Sequence, residues 1–277
     1  MRKVKIGSVT VSGVCIGGNP FSGFSHQTDA RTKAMLAYYT PEGIKDALHK
    51  AEAAGINTVF ARTDDHIFNL MRDYWKAGGK LQWFARVCSA EDDPEGWRTW
   101  MKKAADLGAS GAYMHGGQTE FWFANEKFDV LNEAVALMRT CKLGAAGLAG
   151  HNPFAHAWIR DNLEVDFQMC SYYNPTDRTA SPHHQSVGEK WRDTDREVML
   201  ALIATIKRPV VHYKVFAGGN LPVVEGFERM GRTMKATDVA CIGMFLGDDP
   251  DMAAKDVALF EKHVDKAKPA GRSGRKG

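Results

Sequence analysis

Short apolar runs alternate with amphipathic stretches along the whole chain, and this alternation constrains the fold more than any other feature. The runs occupy residues 12–16, 58–61, 82–88, 111–115, 143–149, 165–171, 209–216 and 239–245. Each is too short for a helix and apolar enough for a strand covered on both faces, as in a parallel sheet. The segments between them carry helix punctuation. Thr40-Pro41-Glu42 supplies a cap residue and a proline at the first helical position, and Gly55 closes that stretch. Asp93-Pro94-Glu95 opens another, with Trp97, Trp100, Met101 and Ala104 at helical spacing before Gly108. Leu131, Ala134, Val135 and Met138 make a further stripe, as do Val198, Met199, Leu202, Ile203 and Ile206. Strand–helix units of about 30 residues repeated in this way predict a single α/β domain, a (β/α)8 barrel over residues 1–265. Segments 2–6 and 9–11 flank Gly7-Ser8, which predicts a β-hairpin over the bottom of that barrel. Residues 266–277 read as a basic, flexible tail.

Composition narrows the class of function. Of the 277 residues, 44% are hydrophobic and 25% charged, and the net charge is only +3, so no basic face for nucleic acid is expected. No apolar run reaches the 18 or so residues of a membrane span. Met1-Arg2-Lys3-Val4-Lys5 is not followed by the apolar stretch of a signal peptide. Five cysteines without CxxC spacing read as reduced core residues, and a cytoplasmic location is the resulting expectation. No GxGxxG or P-loop is present. Two long connections, 17–39 and 174–195, follow strand ends, where barrel active sites are built.

The order of segments resembles the aldo-keto reductase superfamily over most of residues 1–250. The resemblance is carried by Val11-Ser12-Gly13-Val14-Cys15-Ile16-Gly17-Gly18 after the hairpin, by Ala54-Gly55-Ile56-Asn57 and by Tyr113-Met114-His115. It continues in Gly150-His151-Asn152, in Gln168, in Tyr213 with Phe216, Gly219 and Leu221, and in Ile242-Gly243-Met244. The resemblance implies a reductase-like barrel with His115 in the active site. It also implies, for any bound nicotinamide, contacts from Asn152, Gln168 and Tyr213. Three of the four catalytic positions of the family are changed. Phe60 stands at the aspartate, Asp65 or His66 at the acid tyrosine and Arg86 at the lysine. Where the family places a basic clamp for the cofactor's 2′-phosphate, this chain reads Gly247-Asp248-Asp249-Pro250-Asp251.

The residues themselves point to chemistry at the barrel mouth. His115, His151 and His212 fall at the carboxyl ends of expected strands, and His66 falls just after another. Imidazoles suit zinc, manganese, iron or cobalt, so His115, His151 and His212 are the expected ligands of a divalent metal, with Asp64, Asp65 or Glu120 as additional oxygen donors. Arg86 or Arg62 could hold a carboxylate or an enolate oxygen, and Asp65 or His66 could move a proton. An ion pair of Arg86 with Asp64 or Asp65 is the plainer alternative. Trp83, Phe121, Trp122, Phe123, Tyr172, Tyr173, Tyr213 and Phe216 are expected near the same edge. Of these, Trp83, Trp122 and Tyr172 are the expected contacts to a sugar ring. His183-His184 could contribute to a lid or lie on the surface.

Three readings stay open. The first is a non-redox, metal-dependent lyase, isomerase or epimerase that removes a proton beside the carbonyl of a sugar or keto-sugar. The second is a divergent NAD(P)H-dependent reductase. The third is a non-catalytic barrel subunit. A small-molecule, carbohydrate-like partner is expected, no nucleic acid or membrane, and self-association is open.

Overall fold

The computed structural model describes residues 1–173, 175–183 and 191–266. Strands β1 (Lys3–Ile6) and β2 (Val9–Ser12) form an antiparallel hairpin, with Gly7 in the left-handed region at φ +58° as the turn requires. Eight parallel strands then close into a barrel: β3 (Val14–Gly17), β4 (Thr58–Arg62), β5 (Gln82–Val87), β6 (Gly111–Met114), β7 (Ala146–Gly150), β8 (Phe167–Ser171), β9 (Val210–Tyr213) and β10 (Val239–Gly243). Strands are neighbours in chain order, and β10 pairs with β3 to close the ring. All eight expected apolar runs are strands, each ending within a few residues of the expected boundary.

The wall is covered by α1 (Asp29–Tyr38), α2 (Pro41–Ala53), α3 (Asp65–Lys76), α4 (Trp97–Leu107), α5 (Gly116–Ala124), α6 (Phe128–Thr140), α7 (Pro153–Asn162), α8 (Asp193–Ile203), α9 (Val223–Thr233) and α10 (Met252–Phe260). The expected caps act locally. The Thr40 hydroxyl accepts from the Gly43 amide at 3.2 Å, and Gly108 ends α4 at φ +106°. Two expectations need correction. The connection 17–39 is not all loop, because α1 lies within it. This helix buries Met35 alone and so has no apolar stripe to read. Val198 is not core: it is exposed, and α8 packs through Met199 and Ile203.

Two apolar layers follow from strand alternation. The barrel interior holds Phe60, Phe84, Tyr113, Phe167, Met169, Val211 and Cys241, closed at the bottom by Val4, Ile6, Val9 and Val11 of the hairpin. The second, larger layer lies between the strands and the helices. All five cysteines are free. Among the described residues, no helix is long and apolar enough to cross a membrane. The tail 267–277 and His184 lie outside the described residues.

Candidate functional site at the barrel mouth

The side chains that close the upper end of the barrel are the last inward-facing ones on each strand. Phe84 points inward, so Arg86 does too, one step higher; Tyr113 puts His115 above it in the same way. Ala149 precedes His151 by two residues, and Tyr213 packs on the inner cluster. Arg86, His115, His151 and Tyr213 therefore share the mouth.

Arg86 is the least compensated group there. Among the described residues its guanidinium makes no hydrogen bond or ion pair, and Nε is buried without a partner. Neither aspartate expected as its ion-pair partner reaches it. Asp64 instead binds Arg62 at 2.5 Å and caps α3 by accepting from the Ile67 amide at 2.9 Å. Burial, followed by the positive charges of Arg86, Arg178 and Lys214 and by His151, holds the His115 imidazole well below its ordinary pKa. It is therefore a neutral base at pH 7.

His151, Tyr213 and Glu120 form a connected set. The Tyr213 hydroxyl lies 3.2 Å from His151 Nε2 and 3.2 Å from the Gly150 carbonyl oxygen. Burial, and then the Glu120 charge, pushes the phenol well above its ordinary value, so it stays protonated and donates. Glu120, on α5, is 1% exposed and accepts from the amides of His151 and Asn152. Its other oxygen is 3.5 Å from His151 Nδ1 and 3.5 Å from Arg178 Nε. Burial opposes ionisation of Glu120, but the His151 and Asn152 contacts outweigh it and hold the carboxyl below its ordinary value. A carboxylate beside Nδ1 favours the proton on that nitrogen and leaves Nε2 as the acceptor for the phenol. Desolvation, aided by Lys214, brings the His151 pKa down to about 4 against the pull of Glu120. Lys214, directly after Tyr213, holds φ +57°, an uncommon conformation for a residue with a side chain.

A strap from the 174–195 connection lies over this set. Arg178 is 6% exposed, reaches Glu120 through Nε and donates to the His183 carbonyl. Asn125 fixes the strap by donating to the Thr179 carbonyl at 2.9 Å. Residues Arg178, Lys214 and the anchoring role of Glu120 were not legible in the sequence. An arginine in an irregular connection carries no periodic signal, and only its nearness to Glu120 gives it a role.

Other expected site residues lie elsewhere. His212 follows inward-facing Val211, so it turns outward under the helices. There its Nδ1 meets the Tyr172 hydroxyl at 2.9 Å and its Nε2 meets Asp238 at 3.1 Å. Tyr172 is thus part of the outer layer, not a mouth residue. Trp83 is also outer, fully buried, and donates to the Ala61 carbonyl at 3.1 Å. Gln168 follows inward-facing Phe167, turns outward and meets His156 Nδ1 at 2.9 Å. Trp122 packs edge-on to Trp97 at 5.4 Å, beside the mouth and not within it. Asp65 and His66 are exposed on the first turn of α3, and His66 faces a surface groove shared with Pro41 and Asp73 of other turns. With His212 turned away, the expected three-histidine site is not assembled. Among the described residues no group of three or more His, Cys, Asp or Glu side chains is placed to hold a metal ion.

Comparison with known proteins gives the fold a relation. No protein-family model matches the chain, and no curated protein matches its sequence. Solved structures do match. A protein of Pseudomonas aeruginosa assigned as an aldo-keto reductase superposes with a TM-score of 0.60 at 17% identity, over 95% of this chain and 94% of that one. An aldo-keto reductase of Bacillus halodurans in its holo form gives 0.59 at 14%, over 98% and 99%. An aldo/keto reductase of Brucella melitensis gives 0.54 at 9%, over 94% and 93%.

Proposed function

We propose that this aldo-keto reductase-like barrel is an enzyme that processes the carbonyl group of a small, sugar-like molecule by proton transfer at its mouth. The observation that carries the reading is the Arg86 guanidinium, without a partner among the described residues, beside a neutral His115. A partly buried cation without a counter-ion is costly, and a developing oxyanion on the substrate offsets that cost. Arg86 also supplies the fixed positive charge for which the sequence pointed to a metal.

His115 takes a proton from the carbon beside the carbonyl. The C–H electron pair becomes the carbon–carbon double bond, and the carbonyl pair moves onto oxygen, held by Arg86. Tyr213 returns a proton to the enolate and recovers its own from solvent, while His151, held by Glu120 with its proton on Nδ1, orients the phenol through Nε2. His115 releases its proton to solvent, so isomerisation or epimerisation leaves no net change in protons or electrons. Asp65 and His66 have no part in this scheme, because both sit on the exposed turn of α3.

A reductase is the second reading, and the fold comparisons favour it over the lyase or isomerase type. The fold implies a nicotinamide dinucleotide, and the residues present do not fit that group. Gln168 is turned outward onto His156, and the Asn152 side chain accepts from the Phe154 amide at 2.8 Å as a helix cap. In the stretch after β10, Asp248 is held by both terminal nitrogens of Arg31, and Asp249 by Lys255 at 2.6 Å. A phosphate there meets carboxylates whose cations are already engaged. One fold hosts many chemistries, so these side chains weigh more than the superposition.

Incubation with aldoses, ketoses and uronates, with and without NADPH, separates the readings. Conversion without nicotinamide is the expected result. Conversion that strictly requires NADPH overturns it in favour of reduction.

A further inference from the structure

Beside the mouth lies a cavity of about 300 Å³, between the loop after β5 and the first turns of α5, roofed by the strap. Its wall includes Ser89, Glu91, Gln118, Trp122, Lys127 and Pro182. Gln118 stands one turn beyond His115. The strap lies directly on the turn between them: a Cβ on Gly117 would sit 2.1 Å from the Pro182 carbonyl oxygen and 3.3 Å from His115 Cε1. Only glycine permits that approach.

Gln118 is 4% exposed, and its Oε1 has no hydrogen-bond partner among the described residues. A buried acceptor without a donor is unfavourable, so the oxygen calls for a donor from a ligand. The rest of the wall offers acceptors and donors together, with Glu95 as a further carboxylate and Ser181, His183 and Lys127 able to donate. The Ser89 hydroxyl donates to the Pro94 carbonyl at 2.6 Å and so offers the cavity only its lone pairs. Glu91 adds a carboxylate at the exposed rim. Trp122 presents an aromatic surface. Lys127, a basic group of the wall, lies 5.2 Å over the Phe121 ring. Acceptors and donors beside an aromatic surface suit an uncharged ring whose hydroxyls both donate and accept around its edge and whose C–H groups lie on its face.

We infer that this cavity binds a neutral, polyhydroxylated ring, the part of the substrate remote from its carbonyl. The inference rests on the proposed chemistry of the mouth only in calling that ligand a substrate; the binding itself does not depend on turnover. Calorimetric titration of the full chain with D-glucose, D-xylose and myo-inositol is the test, with cyclohexanol as a ring lacking the hydroxyl array. Saturable binding of at least one polyol and none of cyclohexanol is expected. Gln118→Leu weakens that binding about tenfold, the loss of one hydrogen bond, and leaves the melting temperature unchanged or raised because the orphan oxygen is gone. His115→Ala leaves polyol binding intact. No polyol binding by the wild type, or equal binding by wild type and Gln118→Leu, overturns the site. Binding that depends on Gln118 in a protein that converts no carbonyl sugar upholds the site and removes the proposed chemistry of the mouth instead.

Discussion

The inner and outer faces of the barrel wall carry the same kinds of side chain in opposite conditions. On the outer face, His212, Tyr172 and Asp238 satisfy one another, each almost fully buried, and Lys235 joins them at 2.8 Å from Asp238. On the inner face, His151 and Tyr213 meet each other at 3.2 Å, but among the described residues the Arg86 guanidinium has no hydrogen-bond or ion-pair partner. His212 and Tyr213 are adjacent in sequence, and one residue of register decides which environment each enters. Completed pairing marks a group that holds the wall together. An uncompensated charge beside neutral imidazoles marks a group kept ready for a ligand.

The largest effect expected from this contrast is on turnover. Arg86→Met should lower kcat by about 10² to 10³, the usual size of one lost oxyanion donor, while thermal stability holds or rises because an unpaired cation has been removed. Steady-state kinetics and calorimetry on the same preparation check both halves. A stability loss without a kinetic loss would place Arg86 among the wall residues.

The outer set should behave in the opposite way. His212→Ala leaves Asp238 buried without its imidazole, a break worth about 3 kcal/mol, and denaturant unfolding should show it. The protein that remains folded should turn over at close to the normal rate. Glu120→Gln tests the link between strap and mouth. Loss of the charge that orients His151 should reduce kcat by about tenfold or more with little change in KM.

The same contrast predicts a pH dependence of stability. His115 and His151 have folded pKa values below their unfolded ones, so the unfolded chain binds more protons as pH falls. Their contribution is fully present above about pH 6.5, the ordinary histidine value. For His151 it is lost progressively as the pH drops toward about 4. Melting curves between pH 7.5 and 4.5 should show a decline that is shallower in His151→Gln. The smallest effect is expected at Asp65 and His66. Both are exposed, and Asp65→Asn or His66→Gln should change stability by less than about 0.5 kcal/mol and leave turnover unaltered.

The barrel was legible in the sequence because its strands are buried on both faces and its helices on one, and both leave periodic patterns. Thr40-Pro41 and Gly108 marked helix ends through chemistry that acts within a few residues. His115 was legible as a site residue through its place at a strand end and the family resemblance. The direction of His212, Gln168 and Trp83 was not, because a strand covered on both faces shows no alternation between apolar and polar residues. An error of one residue in register then exchanges the mouth for the outer layer. Arg178 and Gln118 escaped notice for another reason: their significance lies in which distant groups they meet or fail to meet.

The most direct test of proton transfer at the mouth is isotope exchange. A carbonyl sugar that the enzyme converts is incubated with it in deuterated water, without nicotinamide, and examined by mass spectrometry. Deuterium should appear on the carbon beside the carbonyl, at a rate reduced by at least about 10² in His115→Ala and Arg86→Met. Absence of exchange, together with direct transfer of deuterium from a labelled reduced nicotinamide to the carbonyl carbon, would contradict proton transfer and establish a reductase.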